Sequence, residues 1–167
     1  VVAREMLYAR EAAAKAQVKV FELPAIVTIE QALDAGTFVL PTKTVARGDA
    51  EAAIADAPHR LSGSTRTGQQ EQFYLEGQIS YALPTEDGGL RVHCSTQHPS
   101  EMQLLVSHAL GLAAHQVQVQ CRRMGGGFGG KESQSGVFAC IAALAARRLG
   151  RPVKLRPARD DDFMITG

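Results

Sequence analysis

Five glycines surround one phenylalanine at residues 125–130, and this cluster constrains the fold more than any other part of the chain. Residues 117–121 before it alternate between apolar and polar side chains, which predicts a half-buried strand. Residues 135–149 after it are rich in Ala and Leu and end at Gly150, which predicts a long helix. A glycine loop between a strand and a helix indicates a backbone that approaches another group closely.

Other elements can be assigned around this loop. Strands at residues 79–83 and 90–94 flank an Asp-Gly-Gly turn, which predicts a β-hairpin. Apolar residues recur at helical spacing from Pro99 until Gly111 ends the run. Another strand is expected at residues 152–155. Hairpin, helix, strand, loop, helix and strand together predict a mixed α+β fold.

The first part of the chain has weaker patterns. An Ala-rich helix is expected at residues 8–17, followed by a strand at 18–21, and a domain boundary is expected near Pro24. Asp49 suits the N-cap of a short helix. A polar, β-prone stretch at residues 59–67 is interpreted as an exposed strand.

Composition excludes several classes of protein. Eighteen Lys and Arg residues balance seventeen Asp and Glu residues, so no basic face indicates nucleic acid or an anionic membrane as a partner. The longest strictly apolar stretch, residues 138–146, is too short for a transmembrane helix. Three cysteines without a CxxC pair argue against a disulfide scaffold or a Cys-ligated zinc and favour the cytoplasm. We expect Cys94 to be a packing residue.

The glycine loop permits two nucleotide-binding interpretations, and both are incomplete. Gly125, Gly127 and Gly130 satisfy GxGxxG, but the acidic residue expected about 20 residues later is missing. Gly125, Gly130 and Lys131 also align with a phosphate-binding P-loop, yet Glu132 stands where Ser or Thr would hold Mg²⁺.

A third interpretation assigns the chemistry to Glu132. A carboxyl group on the first turn of the following helix, beside glycines that leave room for a ligand, can hydrogen-bond a polar heterocycle. The alternative is that Glu132 is an ordinary acid favoured by the helix dipole. The residues themselves leave both possibilities open.

Four motifs in order resemble the molybdopterin-binding subunit of xanthine dehydrogenases, in particular the bacterial two-subunit type. They are GQQEQFYLEG at residues 68–77, CSTQHPSE at 94–101, GGGFGGKE at 125–132 and RDDDFMITG at 159–167. The resemblance runs from end to end. It implies that residues 1–23 end a hammerhead-like α/β domain and that residues 24–167 begin the molybdenum-cofactor domain.

The resemblance also implies roles for individual residues. Gln97 corresponds to the glutamine whose amide approaches the apical oxo group of molybdenum, and Gly127, Phe128 and Gly129 belong to the loop against the metal and the pterin. Glu132 corresponds to the catalytic glutamate that hydrogen-bonds the purine. Dithiolene, oxo and sulfido ligands fill the coordination sphere of molybdenum in this family, so no protein metal ligand is expected.

The activity implied is oxidation of hypoxanthine and xanthine to uric acid with oxygen from water. Electrons would pass to 2Fe-2S clusters, FAD and NAD on other domains or on a partner subunit. The implied partners are the rest of the molybdopterin subunit and an FAD/iron–sulfur subunit, in a heterotetramer or dimer of heterodimers. Alternatives are an N-heterocycle or aldehyde hydroxylase of the same superfamily, or a nucleotide-binding or structural module that uses the glycine loop.

The family has two further site residues that these 167 positions do not supply. They are an arginine opposite the glutamate and a glutamate that acts as general base, both expected beyond Gly167. We therefore expect the chain to be a fragment and to be inactive alone, so turnover of xanthine by the isolated chain supplied with cofactor would contradict this expectation.

Overall fold

The computed structural model describes residues 1–166, which divide into two units, Val1–Arg66 and a second unit that begins at Thr67. The first unit contains helices α1 (Met6–Ala14), α2 (Ile29–Asp34) and α3 (Ala50–Asp56). None of these three helices contains a buried residue. The predicted strands at residues 18–21 and 59–67 are wrong, because neither segment has strand structure.

Local capping defines the ends of two of these helices. Thr28 and Gln31 form a reciprocal capping box at the start of α2. The predicted N-cap of α3 is confirmed, since the Asp49 side chain accepts a 3.0 Å hydrogen bond from the Ala52 N–H. The proposed domain division between residues 23 and 24 stays a prediction.

The second unit is a four-stranded sheet with helices packed on it. Its strands are β1 (Ser80–Pro84), β2 (Leu90–Cys94), β3 (Val117–Gln120) and β4 (Val153–Leu155), and its helices are α4 (Pro99–Leu110), α5 (Ser135–Leu149) and α6 (Arg159–Thr166); a 3₁₀ turn spans Ala114–Gln116. The sheet order is β3-β2-β1-β4. Strand β1 runs antiparallel to β2 and β4, whereas β2 and β3 are parallel.

One face of the sheet and the two long helices form the core. Alternate strand residues such as Ala82 and Val92 are fully buried, as the two-residue period of a strand requires. They belong to one apolar cluster with Met102 and Val106 of α4 and four alanines of α5. The small alanine side chains allow α5 to approach the sheet closely.

The predicted hairpin, both long helices and the α+β class are confirmed. Helices α4 and α5 end at Gly111 and Gly150, whose φ angles of 62° and 61° are left-handed, the conformation that favours glycine at a helix end. Cys94 is buried in the core, as expected. Helix α4 connects the parallel strands β2 and β3. The glycine loop at residues 125–130 follows shortly after the end of β3.

Candidate functional site

The glycine loop turns through several left-handed residues. Gly126 and Gly129 have φ angles of 94° and 92°, and Phe128 between them has a φ of 52°, which is uncommon for a residue with a side chain. Phe128 as a residue is 74% exposed. The loop therefore presents an aromatic ring on its surface instead of burying it.

Gln97 is attached to this loop by three hydrogen bonds. Its N–H donates to the Lys131 carbonyl at 2.8 Å, and its Oε1 accepts from the N–H groups of Gly129 at 3.0 Å and Lys131 at 3.2 Å. Because both side-chain partners are donors, the amide oxygen must face the loop. The amide nitrogen Nε2 therefore faces away from them and has no partner among residues 1–166.

Close approach explains three of the loop glycines. A Cβ atom at Gly125 would lie 2.5 Å from Glu76 Cβ. A Cβ atom at Gly127 would lie 2.5 Å from Gln97 Oε1, and one at Gly130 would lie 2.7 Å from the Tyr74 ring. All three distances are below any normal contact, so these positions require glycine for space. The structure thus brings together Gln97, Gly127, Phe128 and Gly129, which the sequence placed in one site.

Lys131 points in the opposite direction, into the protein. Its side chain is fully buried, and Nζ donates to the Glu76 carbonyl at 2.6 Å and to Ser95 Oγ at 2.9 Å, with Glu76 Oε2 at 3.4 Å. The ammonium also lies 4.6 Å from the centre of the Tyr74 ring, a cation–π distance. Burial lowers the pKa of Lys131, and the attraction to Glu76 opposes this only in part.

The position of Lys131 contradicts the P-loop interpretation. A P-loop lysine must reach the phosphates of a bound nucleotide. Here the ammonium is enclosed, and its three donors are directed at Glu76 and Ser95. The described geometry therefore gives a structural, not a phosphate-binding, role to this side chain.

The Glu76 carboxylate receives several hydrogen bonds at once. Oε2 accepts from Ser95 Oγ at 2.6 Å and from the Gly125 N–H at 2.9 Å. Burial raises the pKa of Glu76, but these hydrogen bonds and the Lys131 ammonium outweigh it and lower the pKa below the ordinary value. Glu76 is therefore ionised at neutral pH.

A buried polar network continues from this point towards α6. The Tyr74 hydroxyl donates to Asp162 Oδ1 at 2.9 Å, and the Gln78 N–H donates to Asp162 Oδ2 at 2.7 Å. Gln78 Nε2 also donates to the Gly130 carbonyl at 2.9 Å, which connects the network to the loop. Tyr74 and Asp162 lie within two of the quoted motifs, but the sequence assigned no role to them or to Gln78, because the partners lie far apart in the chain.

Glu132 has a different environment from its neighbour. It is exposed, and its carboxyl group makes no hydrogen bond or ion pair within the described part of the chain. It lies three residues before α5 begins at Ser135, so its predicted placement on the first turn of that helix is wrong. The helix dipole is strongest at the first turn and does not account for this acid. Its catalytic role stays a prediction.

A cavity of about 700 Å³ lies on the sheet and is lined by Glu76, Ile79, Tyr81, His93, Cys94, Ser95, Gln120, Arg122, Arg123 and Lys154. Neither Gln97 nor Phe128 lines it. Within residues 1–166, no three His, Cys, Asp or Glu side chains form a group that could hold a metal ion. None of the described helices is long and apolar enough to cross a membrane.

Comparison with known proteins relates this geometry to a family. Xanthine dehydrogenase from Drosophila pseudoobscura pseudoobscura is 47% identical over 169 residues, which cover 100% of this chain and 13% of that protein. Nicotinate hydroxylase from Emericella nidulans is 43% identical over 161 residues, covering 93% of this chain and 12% of that protein. The chain thus spans about an eighth of the length of these relatives.

A solved structure has the same fold. Aldehyde oxidoreductase from Desulfovibrio gigas superposes with a TM-score of 0.83 at 26% identity, over 99% of this chain and 19% of that chain. The sequence model of the molybdopterin cofactor-binding domain family matches residues 34–167, which include every predicted site residue. The chain therefore belongs to the molybdopterin cofactor-binding domain family.

Proposed function

We propose that this chain forms part of the molybdopterin site of a purine hydroxylase that oxidises hypoxanthine and xanthine to uric acid. The observation that carries the proposal is the orientation of the Gln97 amide. The glycine loop holds Oε1, and this contact leaves the Nε2 donor on the opposite side of the amide. A donor fixed in this way suits an oxo ligand or another anionic acceptor.

The other loop residues fit a bulky planar cofactor. Gly125 is exposed and Gly126 and Gly129 are half-buried, whereas Gly127 and Gly130 are buried. Phe128 offers an exposed apolar surface between them. Gln97, Gly127, Phe128 and Gly129 would hold the cofactor here. When bound, the molybdenum cofactor would supply the two-electron oxidation chemistry. We propose 2Fe-2S clusters, FAD and NAD on other parts of the assembly as the electron acceptors.

Glu132 is proposed to select the purine. Its exposed carboxyl group makes no hydrogen bond or ion pair within the described residues, so it is available to a ligand on the outer side of the loop. A carboxyl group can accept a hydrogen bond from a ring N–H and, when protonated, can also donate to a ring nitrogen or carbonyl. This property distinguishes amide-like purine edges from apolar substrates.

The similarity to nicotinate hydroxylase supports a second candidate, a hydroxylase of other N-heterocycles. Its 43% identity is close to the 47% found for the xanthine dehydrogenase, so overall similarity does not separate the two substrates. The two substrates can be separated only by measuring which of them the enzyme oxidises. An assay must therefore compare purines with pyridine carboxylates and aldehydes.

The test is a Glu132→Gln variant of the complete molybdenum enzyme that contains this chain. We expect turnover of xanthine to fall roughly a hundredfold or more, the cost of altering one hydrogen-bonding group aimed at the reacting centre. Glu86→Gln, which alters an exposed acid after β1, serves as the matched control. Unchanged xanthine turnover in the Glu132→Gln enzyme, or faster wild-type turnover of nicotinate than of xanthine, contradicts the purine assignment. An intact assembly without molybdenum contradicts the proposal as a whole.

A further inference from the structure

Lys131 connects the glycine loop to the buried polar side chains of the second unit. Its backbone hydrogen-bonds Gln97, and its side chain hydrogen-bonds Glu76 and Ser95. We propose that Lys131, together with Glu76, is a positioning residue that fixes the glycine loop and the Gln97 amide without touching substrate or cofactor. The proposal rests on the proposed function, since it concerns the same loop. It adds a role for two residues to which neither the motifs nor the comparisons assign one.

The main chain and side chain of Lys131 act on different partners. Its N–H and carbonyl groups both hydrogen-bond Gln97, at 3.2 Å and 2.8 Å. Its side chain runs inward and is held by Glu76 and Ser95. One residue therefore carries both the inward anchor and the peptide groups that orient the Gln97 side chain.

Glu76 secures the other end of the loop. Its N–H donates to the Gly125 carbonyl at 3.0 Å, and its Oε2 accepts from the Gly125 N–H at 2.9 Å. The same residue accepts two hydrogen bonds from Lys131. One residue thus holds both the first and the last part of the segment from Gly125 to Lys131, which contains Phe128.

The cost of burying an ammonium group supports a specific role. Removing a charge from water is unfavourable unless its hydrogen bonds and a counter-charge replace the solvent. An apolar side chain would fill the same space without that cost, but it could not anchor the loop to a particular carbonyl and hydroxyl. Glycine-rich backbone has little intrinsic preference for one conformation, so the directional contacts of Lys131 define its position.

The first arm of the test measures amide hydrogen exchange in the complete enzyme that contains this chain. In Lys131→Met we expect the N–H groups of Gly125 and Gly129 to exchange roughly tenfold to a hundredfold faster, the range for loss of charge-assisted hydrogen bonds. Amides in the middle of α5 should exchange as in the wild type. Lys154→Met, which changes an exposed lysine in β4, is the matched control.

A second variant keeps the test decisive if Lys131→Met does not fold. Glu76→Gln preserves the shape and the acceptor oxygen but removes the counter-charge, and it should accelerate exchange at the same two glycines. The proposal is overturned if Lys131→Met folds and its Gly125 and Gly129 N–H groups exchange at the wild-type rate. If Lys131→Met does not fold, wild-type exchange at the same two glycines in Glu76→Gln overturns it.

The second arm uses the molybdenum-loaded enzyme that contains the chain. A positioning role predicts that Lys131→Met lowers kcat per bound molybdenum at least roughly tenfold while KM stays within about twofold, because geometry changes more than binding. A merely structural role lowers molybdenum content and activity in proportion, so unchanged kcat per molybdenum overturns the proposal. Absence of molybdenum from the wild type contradicts the proposed function, whereas the exchange arm remains an independent test of the anchor.

Discussion

Gly127 and Gln97 are so close that a Cβ atom at position 127 would lie 2.5 Å from Gln97 Oε1. The same oxygen accepts hydrogen bonds from Gly129 and Lys131, so it cannot move aside without losing both. The φ angle of Gly127 lies outside the left-handed region, so its backbone conformation alone would allow alanine. Space beside Gln97 is therefore the reason for glycine at this position.

This relationship predicts the effect of Gly127→Ala. The added methyl group should displace the Gln97 amide and reduce turnover of the complete molybdenum enzyme roughly a hundredfold, the cost of a misplacement of about 1 Å at a reacting centre. The Gln97 side-chain amide resonances of the 167-residue chain should shift as well. Gly68→Ala, at a glycine with no atom within 4 Å of its Cβ position, should have neither effect. Unshifted Gln97 resonances in Gly127→Ala would show that the contact is relieved without cost.

A second prediction concerns the buried carboxylate of α6. Asp162 accepts from the Tyr74 hydroxyl and the Gln78 N–H, and all three residues are almost completely buried. Asp162→Ala should lower the free energy of unfolding by about 3 kcal/mol, because each buried donor left without a partner costs about 1–3 kcal/mol. Urea denaturation of the 167-residue chain measures this change. Asp161→Ala, at an exposed acid on the same turn, should stay within about 0.5 kcal/mol of the wild type.

Elements with local signals could be predicted from the sequence. Pro99 and Gly111 mark the ends of α4, and Gly150 marks the end of α5, because a proline at the first turn and a left-handed glycine act within one or two residues. The strand expected at residues 18–21 did not form. A strand depends on pairing with a second strand, and no strand exists in the described residues 1–66.

The residues of the loop site could be predicted from the sequence, but the buried contacts that hold the loop could not. Gln97 and Phe128 stand in recognisable motifs, so their proximity could be expected from the resemblance. The anchor of Lys131 could not, because its partners Ser95 and Glu76 lie 36 and 55 residues away and no repeating pattern relates them. Only the folded chain brings a buried ammonium together with such distant acceptors.

The reactivity of Cys94 provides a third prediction. Burial, with a smaller contribution from Cys121, raises the pKa of the Cys94 thiol to about 12. At about pH 8 its thiolate population is roughly a thousandfold lower than that of an ordinary thiol. Iodoacetamide followed by mass spectrometry should therefore modify the partly exposed Cys121 first and Cys94 last. Urea should abolish the difference, whereas early labelling of Cys94 in the folded chain would contradict its burial.

The lowered pKa of Glu76 should make the free energy of unfolding depend on pH. Burial raises the pKa of Glu76, but hydrogen bonds from Ser95 and Gly125 and the Lys131 ammonium together bring it below its ordinary value. The folded state therefore binds this proton more weakly than the unfolded state does. The stabilisation is complete above the ordinary pKa and is lost as pH falls through the lowered folded value.

We accordingly expect the free energy of unfolding of the 167-residue chain to fall as the solution is acidified from about pH 6 to about pH 3. Glu76→Gln should be less stable at neutral pH, because Lys131 loses its counter-charge, and its stability should fall less steeply with acid. Urea denaturation at several pH values measures both effects, with Glu86→Gln as the control. Parallel curves for the wild type and Glu76→Gln would mean that the carboxylate contributes no charge-dependent stability. The contacts of Gly125 and Lys131 would then depend on shape alone.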